Sequence, residues 1–183
     1  MPTIDLKKGL LTQAEQLFSP HFDEREDATD ISLLVIHNIS LPPNQFGGQH
    51  IKNFFQGHLD SGLHPYFRLI EGVRVSSHLL IQRDGLVIQF VPFHKRAWHA
   101  GVSSFEGREK CNDFSIGIEL EGGDEIPFTS AQYQQLTQVT RALLQAYPQI
   151  NQQRIVGHSD IAPERKTDPG RHFDWQRYFA GLG

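Results

Sequence analysis

A chain of 183 residues with a formal net charge of −4 is the size of one domain, and can bury roughly 70% of its unfolded surface without help from disulfides. Its single cysteine, Cys111, cannot close an intramolecular bridge, which fits a reducing, cytoplasmic setting, and the acidic balance argues against a nucleic-acid partner. Apolar runs stay well short of the about eighteen residues of a membrane span, the first residues lack a signal-peptide pattern, and no dimer seam stands out, so a monomer off the membrane is expected.

Residues 1–30 read as an irregular N-terminal segment, polar and charge-dense over 19–30. Residues 31–36 are a short apolar run with β-branched members, which predicts a buried strand that runs out at His37. The stretch 41–48 is a loop with prolines at one end and glycines at the other. Residues 50–56 predict a short helix pairing Ile51 with Phe54 and Phe55. Segments 76–82 and 86–91 flank Asp84-Gly85, a dipeptide suited to a tight hairpin turn. Over 114–121, Phe114, Ile116, Ile118 and Leu120 alternate with Ser115, Gly117, Glu119 and Glu121, the period of a half-buried strand. Residues 129–147 predict the longest helix, with Thr129 or Ser130 as N-cap, apolar positions recurring at three and four, and Pro148 as the stop. Residues 154–156 form a short strand leading to His158, and 174–180 a last helix. Strands interleaved with helices imply an α/β domain with a mixed central β-sheet flanked by helices. Residues 31–170 carry it, and 171–183 pack a C-terminal helix on it.

The chemistry gathers in the Pro- and Gly-punctuated stretch 157–170, which holds His158, Lys166 and Asp168. Loops of this kind collect functional residues because they expose backbone polar groups. With His37 upstream, two histidines and a carboxylate make three protein ligands for a tetrahedral zinc, leaving a fourth position for water. Each also has a plain structural reading: a hydrogen-bonded histidine at a strand end, or an aspartate in an Asp-Pro turn. Glu119 and Glu121 share one strand face, and their mutual repulsion would raise a proton affinity there. Periodicity leaves open which of them acts as an acid/base. Lys166 is either a solvated loop lysine or an oxyanion stabiliser. Trp98 can stack on a sugar ring, and Arg74, Lys95, Arg96, Arg108 and Lys110 are candidate partners for substrate carboxylates. Cys111 reads as an inert core residue.

Several stretches, in order, resemble the zinc-dependent N-acetylmuramoyl-L-alanine amidase family that also includes phage T7 lysozyme and the peptidoglycan-recognition proteins. They are residues 35–43, Val75-Ser76-Ser77-His78, Ala97-Trp98-His99-Ala100-Gly101, residues 112–122, and 157–170. The resemblance is closest to the cytoplasmic subgroup that acts on 1,6-anhydro-N-acetylmuramyl-L-alanine. It implies a zinc amidase/peptidoglycan-recognition-like fold, zinc ligands at His37, His158 and Asp168, the acid/base at Glu119 rather than Glu121, and a transition-state stabiliser at Lys166. The substrate it implies is an anhydromuropeptide recycled from the cell wall, and in that subgroup the product controls β-lactamase induction. Asn38, Arg74, Trp98 and Lys110 are then the candidate substrate-binding residues. A non-catalytic binding module on the same fold is the rival, but such proteins typically lack a full ligand set.

Overall fold

The computed structural model describes residues 2–183. The first strands are short: β1 (Ile4–Asp5), β2 (Leu10–Leu11), β3 (Glu15–Gln16) and β4 (Phe22–Glu24) precede β5 (Leu33–Ile39). Two small helices follow, α1 (His50–Phe55) and α2 (Pro65–Leu69), then β6 (Leu79–Ile81), β7 (Val87–Gln89), β8 (Lys95–Ala97), β9 (Ser104–Phe105) and β10 (Arg108–Glu109). The C-terminal part holds β11 (Ser115–Glu121), α3 (Ser130–Ala146), β12 (Ile155–Gly157), α4 (His158–Ile161) and α5 (Trp175–Leu182).

A six-stranded sheet in the order β12-β5-β11-β6-β7-β3 forms the centre. It is mixed, because β6 and β7 run antiparallel as a hairpin while the other neighbours are parallel. The hairpin turns where the sequence places it, with Gly85 at φ +90°, a conformation that costs a glycine little. Helix α3 starts as expected: the Thr129 side chain accepts from Gln132 N–H and the Gln132 side chain accepts in return from Thr129 N–H, a reciprocal cap that satisfies two otherwise orphaned donors. Gln132 also donates to the carbonyls of Ile81 and Glu121, tying the helix to the sheet.

Alternation along the strands sorts the core into two sides. Leu34, Ile36, Ile116, Ile118 and Leu120 pack with Leu136, Val139 and Leu143 of α3 and Tyr178 of α5. Leu33, Val35, Cys111, Ala100 and Ile161 pack on the other side; Phe114 joins them rather than Ile116, Ile118 and Leu120 as the period predicts, because the strand begins only at Ser115. His37 and Glu119 continue the second side, so the polar site sits on the sheet face that α3 does not cover.

Three further expectations change. Strand β5 does not stop at 36. It stays paired with β11 as far as Ile39 opposite Glu121, so His37 and Asn38 lie inside the ladder. Strand β11 is buried on both faces rather than one, because its polar face is roofed by the loops of the site. Residues 1–30 are not wholly irregular: Ile4–Asp5 pairs with Leu10–Leu11, Glu15–Gln16 forms an edge of the central sheet, and Phe22–Glu24 pairs antiparallel with Lys95–Ala97. Arg25 beside it is buried and donates to the carbonyls of Phe93, Asn112, Asp113 and Ser115 at 2.6–3.3 Å.

Candidate active site

Pairing of the two longest strands puts the site's first two residues side by side. In the parallel β5–β11 ladder, His37 is in register with Glu119. In the β5–β12 ladder, Gly157 is in register with Ile36, which sets His158 next to His37 at the following position. His158 then opens α4, one turn whose Asp160 side chain accepts from Gly157 N–H. The chain returns through Lys166 and Thr167, and a hydrogen bond from Ser159 N–H to the Asp168 carbonyl, 2.9 Å, closes the loop. The Asp168 carboxylate is thereby brought back to the histidines.

The three groups meet as a near-equilateral triangle. His37 Nδ1 and His158 Nδ1 are 3.0 Å apart, and each lies 3.1 Å from Asp168 Oδ2. Ligands of a tetrahedral zinc at about 2.0–2.1 Å are separated by roughly 3.3 Å, so the triangle fits three corners of such a site. Proton states favour the same reading. Burial pushes the His37 pKa down to about 4, with the neighbouring His158 adding to the effect, so its ring is neutral and a lone pair is free. Burial works against the Asp168 carboxylate, but the His158 and His37 rings, each 3.1 Å away, override it and hold the group ionised below the usual carboxylate range. Two imidazoles and one carboxylate are a donor set suited to zinc.

A cleft of about 540 Å³ opens on this triangle and is also lined by Glu119, Lys166, Asn38 and Trp98. Glu119 is buried, and its Oε2 has no hydrogen-bond partner among the described residues. Burial, followed by the charge of Asp168, raises its pKa well above the ordinary carboxylate value, while Lys166 pulls the other way. Repulsion from Glu121 is therefore not the cause. That carboxylate points elsewhere, accepting from the N–H groups of Gly47 at 2.6 Å and Arg83 at 3.1 Å.

The remaining candidates separate. Asn38 donates to Asp124 Oδ1 at 2.7 Å and to the Pro169 carbonyl at 3.1 Å, which ties β5 to the ligand loop. Trp98 walls the cleft, stacked near His21 with its indole N–H donating to Asp23 at 2.7 Å. Arg74 is exposed over an adjoining depression that shares Phe54 and Val73 with the cleft. Lys110 lies on a different depression, with Val102, Ala162 and Arg165, and outside the cleft. Lys95, Arg96 and Arg108 are paired with Glu24, with Asp23 and Asp113, and with Asp30 respectively. Cys111 is buried, and burial pushes its thiol pKa up, the opposite of what a nucleophile needs.

The sequence profile described as N-acetylmuramoyl-L-alanine amidase matches residues 27–171. The chain belongs to the N-acetylmuramoyl-L-alanine amidase family. Over 97% of both chains it is 60% identical to the 1,6-anhydro-N-acetylmuramyl-L-alanine amidase AmpD of Haemophilus influenzae. It is 58% identical to the Escherichia coli AmpD over 94% of both chains. Among solved structures, a selenomethionine AmpD derivative superposes with a TM-score of 0.94 at 57% identity, covering 98% of this chain and 99% of that one. The E. coli amidase AmiD, solved in complex with the substrate anhydro-N-acetylmuramic acid-L-Ala-D-γ-Glu-L-Lys, gives a TM-score of 0.62 at 30% identity, over 83% of this chain and 57% of that one.

Within this amidase fold, His99, Asn112 and Asp124 stand around the triad although neither period nor spacing marks them out in the sequence. His99 lies against His37, its Nδ1 3.0 Å from His37 Nε2. Burial first, then the nearby His37, keeps its ring neutral. Asp124 accepts from Asn38 and, in a short contact, from Thr167. His99 stands in Ala97-Trp98-His99-Ala100-Gly101, one of the stretches that carry the family resemblance.

Proposed function

We propose that the protein hydrolyses, with zinc, the amide bond between 1,6-anhydro-N-acetylmuramic acid and L-alanine in peptidoglycan fragments returned for recycling. The observation that carries this reading is Glu119 Oε2, a buried carboxylate oxygen without a partner among the described residues, in the cleft that also holds the triad and Lys166. A carboxyl group with a raised pKa in a cleft beside a metal-ligand set is what hydrolytic proton transfer requires. The choice of bond is supported by the names of the AmpD relatives and by the ligand in the AmiD complex.

Zinc held by His37, His158 and Asp168 would supply a Lewis acid that polarises a carbonyl and lowers the pKa of a water to about 7. Glu119 takes the proton from the attacking water and delivers it to the departing L-alanine nitrogen. Its raised pKa lets it serve as base and then as acid near neutral pH. The Lys166 ammonium faces the same cleft and stabilises the oxyanion that forms on the lactyl carbonyl. Trp98 offers a ring face to the sugar, and Asn38 shapes the floor, since its amide donors are already committed. Arg74 is free to meet a stem-peptide carboxylate where the adjoining depression begins, and Lys110 has no part in this reading.

The protein works as a monomer in the cytoplasm; a lone, buried cysteine suits a reducing compartment. Among the described residues no helix is long and apolar enough to cross a membrane.

Mass spectrometry of an anhydromuramyl-tripeptide tests the reading. The protein is incubated with it as purified, after chelation, and after zinc is restored. Free tripeptide should be released, stop on chelation and return with zinc. Intact substrate in the presence of folded, zinc-loaded protein would overturn the proposal.

A further inference from the structure

The ring nitrogens that face away from the triad are held by one short stretch of chain. His37 Nε2 lies 3.0 Å from His99 Nδ1, and His158 Nε2 lies 3.0 Å from the Ala100 carbonyl. His99 Nε2 is in turn 3.2 Å from Ser115 Oγ. One buried side chain fixes the backbone of both residues: Asn112 Oδ1 accepts from His99 N–H at 3.1 Å and from Ala100 N–H at 2.8 Å. Room for the His99 ring exists because residue 117 is glycine; a Cβ there would stand 2.5 Å from His99 Cγ.

We infer that His99 and Ala100, clamped by Asn112, are positioning residues that set the tautomer and ring orientation of both metal-ligating histidines. This rests on the zinc reading above. Coordination through Nδ1 leaves the proton of each ring on Nε2, where it needs an acceptor. At His158 the partner is a carbonyl, which can only accept, so the Nδ1 lone pair of that ring is always presented to the triangle. At His37 the partner is another imidazole, and the chain of hydrogen bonds can run in two directions. If Ser115 donates to His99, then His99 Nδ1–H donates to His37 Nε2, and the His37 proton sits on Nδ1, where it blocks a metal. If His99 donates to Ser115, its Nδ1 accepts from His37 Nε2–H, and His37 Nδ1 is free. Only the second direction admits a metal, so coordination and the order His37 to His99 to Ser115 select each other. His158 is preset by the backbone, whereas His37 is set through a side chain that mutation can change.

Zinc affinity by competition with a chromophoric chelator tests this without reference to turnover. His99→Leu removes the acceptor and should weaken zinc binding by about 10- to 100-fold, the scale of such outer partners. His99→Asn, whose Oδ1 reaches about the same place as Nδ1, should recover most of that loss. Asn112→Leu should weaken binding as well, while Asn112→Asp, which keeps the accepting oxygen, should not. Long-range ¹H–¹⁵N spectra of the zinc-loaded wild type need no variant and should find the proton on Nε2 of both His37 and His158. A folded His99→Leu protein within twofold of wild-type affinity overturns the inference, as do equal losses for the leucine and asparagine variants or a proton on His37 Nδ1. A wild type that takes up no zinc overturns the zinc reading and this inference with it; an indifferent His99→Leu beside a zinc-binding wild type overturns the inference alone.

Discussion

Glu119, Lys166 and Asp168 share one cleft, the proposed mechanism gives them different work, and substitution separates them. Glu119→Ala should keep its zinc and lose at least about 10²-fold in turnover, the usual scale for a positioned acid/base. Lys166→Ala should likewise keep zinc and lose about 10²- to 10³-fold, as when an oxyanion donor is removed. Asp168→Ala should lose the metal itself. Metal content by mass spectrometry beside single-turnover rates checks all three, and full zinc in Asp168→Ala would remove it from the ligand set. Burial of His37 carries a pH prediction. Its ring takes a proton near 6.5 in an unfolded chain but only near about 4 when folded. Between those values the unfolded state binds more protons, so the chelated protein should lose stability as pH falls from 6.5 toward 4. One such group contributes up to about 1.4 kcal/mol per pH unit, and His37→Asn should flatten the slope by that amount in urea titrations. His37, His158 and Asp168 were legible as candidates because together they make up a ligand set, although each alone has an ordinary structural reading. His99 was not. Its partners are His37 and Ser115, 62 and 16 residues away, and no local pattern announces a contact that only the sheet creates.

At the level of elements, the least legible part of the chain holds the site's roof in place. Strands of two or three residues, such as β1 to β4, are too short to show a period, and their partners lie far along the chain. Helix α3 could be read because cap, period and stop are all local. Arg25, in the stretch expected to be irregular, ties the turn at Asn112 and Asp113, the start of β11 and the Phe93 backbone together through four carbonyls. Burial draws even this guanidinium down to about 10, since the charge is costly there. Arg25→Leu removes the charge but leaves those carbonyls without donors, each costing about 1–3 kcal/mol when buried. A loss of at least about 3 kcal/mol is therefore expected, a fall in Tm of roughly 6–12 °C for a chain of this size. Calorimetry of the chelated protein measures it, and a Tm unchanged within 2 °C would show that water replaces the guanidinium freely. Because Asn112 also holds His99 and Ala100, the same variant should loosen the metal site while leaving α3 and its cap intact.

For the whole molecule, interleaved strands and helices announce a mixed α/β domain, but the order β12-β5-β11-β6-β7-β3 depends on pairings between distant segments that no window of sequence contains. The same long-range closure makes the metal a matter of global stability. His37 on β5 and His158 after β12 are 121 residues apart, and Asp168 lies ten further on. An unfolded chain does not hold these three donors together, so zinc bound as proposed would strongly prefer the native state and stabilise it by mass action. With free zinc 100-fold above its dissociation constant, the gain is about 2.7 kcal/mol, equivalent to roughly 5–11 °C in Tm for 150–250 residues. Calorimetry with zinc and with chelator should show that difference in the wild type. Glu119→Gln should show it too, because the proposed mechanism has Glu119 act on substrate and not on the metal. Asp168→Ala should show little of it, its Tm being nearly the same in both buffers. If zinc leaves the wild-type Tm unmoved, the triangle of His37, His158 and Asp168 is a hydrogen-bonded knot rather than a metal site. The hydrolytic role drawn from it would then fall with it.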